Sequence, residues 1–170
     1  MTETPLYPVG PEEARRLRLL QTSGFADSVK TPELDLICEE ARSSFGTKFA
    51  CVTLLTEGLQ ILKGRAGIDI DSTPRDVAFC NYTILNDDVF IVLDATTDDR
   101  FRNNPLTAGE PWIRFYAGAP LIYVNDIRLG AFCLFDTSPR TDFTLGDQAE
   151  LVEFAERTSH KLIKHLRSTG

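Results

Sequence analysis

Apolar residues recur at helical spacing early in the chain: Leu34, Ile37, Cys38, Ala41 and Phe45 fall at i, i+3, i+4, i+7 and i+11. This spacing predicts a helix with one buried face. Thr31 and Pro32 supply its start and Gly46 its stop. A shorter helix is predicted from Glu12 to Gln21, with acidic residues in its first turn and arginines further on. The longest runs from Thr144 to about Leu166. There Thr144 and Asp147 form a capping pair, and Leu151, Val152, Ala155, Leu162, Ile163 and Leu166 share a face. Thr73-Pro74 repeats the capping signal and predicts a fourth helix to about Leu85.

Between these segments the pattern changes to strands. Phe49–Thr56 is almost continuously apolar, as in a central strand covered on both faces. Glu57-Gly58 turns it into a second strand, Gln60–Arg65. Phe90–Leu93 is a third. Phe115–Val124 and Arg128–Asp136 form a hairpin around Asn125-Asp126, and the stretch from Arg100 to Arg114 is irregular. The order α-α-β-β-α-β-loop-β-β-α, with strands arriving as hairpins, implies a mainly antiparallel sheet with helices on its faces, of α+β (mixed α/β) class.

The 170 residues suit one domain. Three prolines between Thr4 and Pro11 mark residues 1–11 as a flexible arm, and residues 12–170 form the domain. The net charge is -7. Nine basic and 12 acidic residues in positions 1–85, and nine and 13 in positions 86–170, leave no basic face for nucleic acid. No apolar run approaches the roughly 20 residues of a membrane span. The amino terminus lacks a secretory signal, so the expected location is the cytoplasm. Cys38, Cys51, Cys80 and Cys133 form no C-x-x-C pair, which argues against a zinc or thioredoxin-like centre. All but Cys80 lie in apolar runs and read as buried small hydrophobes.

Three stretches carry a family resemblance. They are Thr73-Pro74-Arg75-Asp76-Val77-Ala78-Phe79-Cys80, then Asp94-Ala95-Thr96 with Asp99-Arg100-Phe101 and Asn104-Pro105-Leu106, then Ile113–Leu121 leading into Leu129–Asp136. In this order they resemble the GAF domains of bacterial sensor histidine kinases and diguanylate cyclases, over about residues 30–165. The resemblance implies a profilin-like antiparallel sheet of five or six strands. Its terminal helices lie on one face, and the other face carries a ligand pocket closed by the crossover helix and the irregular loop. It also implies pairing through the terminal helices into a homodimer. Because 170 residues carry no output domain, the expectation is a stand-alone module that binds a ligand, or a signalling protein in trans, and is not an enzyme.

On that frame the pocket-side candidates are Phe79, Cys80, Tyr82, Asp94, Phe101, Arg114, Tyr116 and Asp136. Arg114, among Trp112, Phe115 and Tyr116, can hold a ligand carboxylate or ring; its structural alternative is a pair with Asp94 or a neighbouring acidic residue. Cys80 reads as a packed helix cysteine. Photosensory GAF domains attach a bilin through a pocket cysteine commonly followed by His, whereas here Asn81 and Tyr82 follow. The Asn-Lys-x-Phe-Asp-Glu signature of cyclic-nucleotide-binding forms is missing. His160 and His165 lie in the last helix with Lys161, Lys164 and Arg167, and neither is expected to serve as a base in the ligand pocket. The four cysteines bring in one enzyme alternative, the free methionine-(R)-sulfoxide reductases of the same fold, although their cysteine spacing is not reproduced. No cofactor is expected; the pocket takes an unidentified small molecule, or has lost its ligand and the module only mediates contacts.

Overall fold

A computed structural model describes residues 7–26 and 31–169, without the side chains of residues 124 and 165–169. Most of the expected arm, and the side chains of His165 and Leu166, therefore lie outside the described residues. The described elements are α1 (Glu13–Ser23), α2 (Pro32–Phe45), β1 (Phe49–Leu55), β2 (Leu59–Ala66), β3 (Ser72–Pro74) and α3 (Cys80–Thr83). They continue with β4 (Phe90–Val92), α4 (Pro105–Ala108), β5 (Phe115–Tyr123), β6 (Ile127–Asp136) and α5 (Leu145–Thr169). The six strands form one sheet in the order β3-β2-β1-β6-β5-β4, and every neighbouring pair is antiparallel.

Strand alternation divides the core in two. Ala50, Val52 and Leu54 of β1, Phe132 and Leu134 of β6, and Phe115, Ala117 and Ala119 of β5 face α2 and α5. Their intervening neighbours, among them Cys51, Leu55, Ala131, Cys133 and Tyr116, form a second cluster on the opposite face. All seven residues of β1 are buried, as its continuous apolar run requires. In β2 a bulge at Lys63 moves the buried positions from one face to the other. Leu62 belongs to the second cluster, whereas Gly64 lies under α2, where a Cβ would come within 2.7 Å of the Leu34 Cβ.

The helix ends follow the residues that mark them. Gly46 closes α2 in the left-handed conformation, and Pro32 opens it, although the Thr31 side chain makes no capping bond. Thr144 and Asp147 exchange hydrogen bonds of 2.9 and 3.0 Å at the start of α5. Asn125 and Asp126 both take positive φ in the β5–β6 turn, which Asn and Asp tolerate better than other side chains.

The predicted helix over 73–85 is the main departure. Ser72–Pro74 instead pairs with β2 as a sixth, edge strand. A single 3-10 turn over Arg75–Val77 follows, Ala78 is extended, and only Cys80–Thr83 is helical. The Arg75 amide donates to the Gly58 carbonyl, and its guanidinium is drawn into the interior. These tertiary bonds override the local helical signal. Residues 72–85 thus form an irregular strap across the second face of the sheet. Among the described residues, no helix is long and apolar enough to cross a membrane.

Candidate functional site

Beneath the strap, β1, β6 and β5 bring a set of small polar groups together. Cys51 and Cys133 stand directly opposite each other in the β1–β6 register, and Gly118 opposes Cys133 from β5. Because Gly118 has no side chain, the Tyr116 ring folds back over it. A Cβ there would overlap the Tyr116 hydroxyl and the Thr83 Oγ1. The Tyr116 hydroxyl lies 3.0 Å from the Cys80 Sγ and 2.8 Å from the Thr83 Oγ1. The Thr53 hydroxyl donates to the Cys80 Sγ at 3.2 Å. The sheet thus supplies Cys51, Thr53, Tyr116 and Cys133, and the strap supplies Cys80 and Thr83.

These groups are electrically quiet. Burial, and then the neighbouring Cys133, hold the Cys80 thiol well above its ordinary range. Contact with Cys51 is the main cause of the same upward shift at Cys133. Burial and the adjacent thiols raise the Tyr116 phenol likewise. Cys80, Cys133 and Tyr116 are therefore neutral at physiological pH, and neither of these two thiols is an activated thiolate. All four cysteines are free and buried. Among the described residues, no group of three or more His, Cys, Asp or Glu side chains is arranged to hold a metal ion.

A cavity with a free volume of about 40 Å³ lies beside this cluster. Its floor is Cys51, Thr53, Tyr116, Cys133 and Phe135; its walls are Gln60, Leu62, Leu106 and Ile113. Phe79 and Cys80 cover it from the strap, while Ile70 and Thr73 lie at its rim. Among the described residues, no charged side chain lines it. Behind Phe79, Phe101 stacks on it at 4.0 Å between centroids, and Tyr82 and Phe90 continue the aromatic layer.

Of the eight candidates read from the sequence, the cavity gathers Phe79, Cys80 and Tyr116. Phe101 and Tyr82 stand one layer back. Arg114 does not line the cavity and does not pair with Asp94: its guanidinium donates to the carbonyls of Thr107 at 2.9 Å and Ile113 at 3.2 Å. Arg114 immediately precedes β5, and the carbonyls it meets belong to the irregular loop that leads into that strand. The Asp94 carboxylate instead caps the turn at Thr96, and Asp136 accepts from the amides of Lys48 and Ser138. Both therefore act as local backbone caps. Sequence reasoning missed Thr53, Gln60, Thr73 and the Cys51–Cys133 pairing as site features. Strand parity was the available signal, because 51, 53, 131, 133 and 135 are the positions facing away from the helix-covered side.

A chain of buried polar contacts leads from the cavity cover to α1. Asn81, beside Cys80, accepts from the Arg75 Nε at 2.9 Å and donates to the Arg75 carbonyl at 2.7 Å. Arg75 is 1% exposed and grips Glu13 of α1 at 2.5 Å, with a further bond to the Thr56 carbonyl. Glu13 also pairs with Arg16 at 2.7 Å, and Arg16 reaches the Leu129 carbonyl of β6. Burial alone raises the Glu13 pKa, but the hydrogen bonds from Arg75 and Arg16 outweigh it and hold the carboxyl below its usual range. The Tyr7 ring covers the Arg75 guanidinium at 4.4 Å.

The chain matches known proteins over nearly its whole length. It is 40% identical over 167 residues to a cyclic di-GMP phosphodiesterase of Pseudomonas aeruginosa, covering 98% of this chain but 28% of that protein. Its fold matches the GAF domain of an Acinetobacter phosphoenolpyruvate-protein phosphotransferase with a TM-score of 0.67 at 19% identity, over 95% of this chain and 98% of that one. It also matches a free methionine-R-sulfoxide reductase of Neisseria meningitidis, solved with its substrate, with a TM-score of 0.63 at 14% identity over the full length of both. At such identities the likeness is one of fold. The model of the GAF domain matches residues 32–162, from the start of α2 to the last described apolar turns of α5, and the chain belongs to the GAF domain family.

Proposed function

We propose that this GAF domain is a cytoplasmic sensor module whose ligand site is the cavity under the strap, and that it regulates rather than catalyses. The observation that carries this reading is the continuous link from the cavity cover to a terminal helix, through Asn81, Arg75 and Glu13. A guest that lifts Phe79 and Cys80 also pulls on Asn81, and so on the ion pairs that seat α1. The phosphodiesterase relative is more than three times longer than the matched segment, which favours a regulatory role for that segment over the hydrolysis in its name.

The enzyme and photosensor alternatives lose support on physical grounds. A cavity of about 40 Å³ is far below the several hundred cubic ångströms that ligands of bilin or nucleotide size occupy. A reductase of free methionine sulfoxide needs a reactive thiolate and partners for a zwitterion. Here the Cys80 and Cys133 thiols are held neutral, and among the described residues no charged side chain lines the cavity.

The module acts as a homodimer through its terminal helices. Support comes from a groove of about 350 Å³ beside α5, where Val152, Ala155 and Ile163 meet Pro120 and Ile122 of β5, with Asp87, Glu156, Ser159 and His160 also lining it. A signalling protein in trans is the other partner that would fit this groove.

A thermal-shift screen against small metabolites tests the ligand reading. At one hundred times its Kd a ligand adds about 2.7 kcal/mol of stability, or roughly 8 °C in Tm for a domain of this size. Cys51→Val, which fills the cavity floor, is expected to abolish the shift while remaining folded. Silence across the screen, or a shift unaffected by that substitution, counts against the site.

A further inference from the structure

The chemistry of the cavity wall restricts its guest. Every described lining residue is apolar or an uncharged polar one. Arg75, the buried cation on the same strap, already holds Glu13, Asn81 and the Thr56 carbonyl. A carboxylate, phosphate or ammonium entering the cavity would give up its hydration and meet no opposite charge, which costs several-fold to many-fold in affinity.

Of the two described buried side-chain atoms without a hydrogen-bond partner, Gln60 Oε1 and Thr107 Oγ1, the first belongs to the cavity. Gln60 is 8% exposed and lines the cavity; its Nε2 donates to the Thr73 Oγ1 at 3.0 Å, while its Oε1 has no hydrogen-bond partner. A buried, unpaired amide oxygen is destabilising and gains from any donor brought to it. The terminal torsion of a glutamine is soft, so a small rotation presents this oxygen to a guest. The remaining wall, including Leu62, Leu106 and Ile113, offers only apolar contact.

We propose that the cavity takes a small uncharged molecule, of about three to five non-hydrogen atoms on the volume available, with an N–H or O–H donor that bonds Gln60 and an apolar end against Leu62, Leu106 and Ile113. This rests on the ligand-site reading above and narrows it to a chemical class. At the known ceiling of affinity per atom, a molecule so small binds no tighter than about 0.5 mM with three atoms or about 3 μM with five, so the sensor answers to an abundant or diffusible compound. The class excludes cyclic nucleotides, dinucleotides and free amino acids from this cavity.

Acetamide and acetate form a near-isosteric neutral and charged pair for the test. Amide and methyl NMR spectra of the full chain are titrated with acetamide, acetate and methylammonium in parallel. Acetamide is expected to shift the Gln60 side-chain amide, the Thr73 amide and the Ile113 methyls in a saturable way. Acetate and methylammonium are expected to bind there at least tenfold more weakly. Gln60→Leu, which replaces the unpaired amide with an apolar group, is expected to weaken acetamide at least fivefold and to keep the fold. Equal or tighter binding of either ion at these residues, or no change in acetamide binding by the Gln60 variant, overturns the uncharged class while leaving the cavity a ligand site. If none of the three compounds moves these residues, the ligand-site reading falls with it.

Discussion

Glu13→Gln removes one charge from the most deeply buried ionic cluster of the domain while keeping its shape. In the native protein the carboxylate faces two guanidiniums, Arg75 at 2.5 Å and Arg16 at 2.7 Å, whose residues are 1% and 3% exposed. The substitution leaves two buried cations facing a neutral amide. Removing one partner of a buried pair typically costs about 3–5 kcal/mol. The lower end applies here, because both arginines keep bonds to backbone carbonyls. Unfolding entropy of about 2.1 cal/mol/K per residue over 170 residues converts about 3 kcal/mol into a Tm lower by roughly 8 °C.

The pH dependence carries the sign. The folded Glu13 pKa lies below the ordinary value of 4.5. Its contribution is therefore present above that value and is lost as pH falls through the folded pKa. Urea unfolding of both proteins from pH 7 to pH 3 should show a constant gap near neutrality that closes in acid. A gap under about 1 kcal/mol at pH 7, or one that widens as pH falls, would refute the assignment of the cluster as a stabilising link between strap and α1.

Further outcomes follow from the cavity floor. Gly118→Ala places a methyl where the Tyr116 hydroxyl and Thr83 Oγ1 lie; overpacking of this kind costs about 1–3 kcal/mol, read as a lower urea midpoint. Native protein at pH 8 should react with an aromatic disulfide at fewer than one thiol on the minute scale and at four after unfolding, because all four thiols are buried. Fast labelling of Cys80 would contradict its placement under the strap.

The parts of the fold that depend on local periodicity were legible in the sequence. The apolar faces of α2 and α5, the doubly buried β1 and the β5–β6 turn all follow from residue spacing and turn chemistry. The strap was not, because Thr73-Pro74 carries a helix-start signal that only the pairing with β2 and the pull of Glu13 on Arg75 overrule. The site was legible in part. Phe79, Cys80 and Tyr116 meet at the cavity, but Arg114 attracted weight through its charge and its aromatic neighbours, and its true partners are backbone carbonyls that no side-chain pattern reveals. The opposition of Cys51 and Cys133 depends on register between strands about 80 residues apart.

The electron density between strap and sheet, in crystals grown with a compound that raises the Tm, tests the sensor reading most directly. The expected result is a small uncharged molecule in contact with Gln60, Tyr116 and Cys80, with Phe79 displaced to admit it. A closed cavity, with the compound bound in the groove beside α5 or elsewhere on the surface, would contradict it.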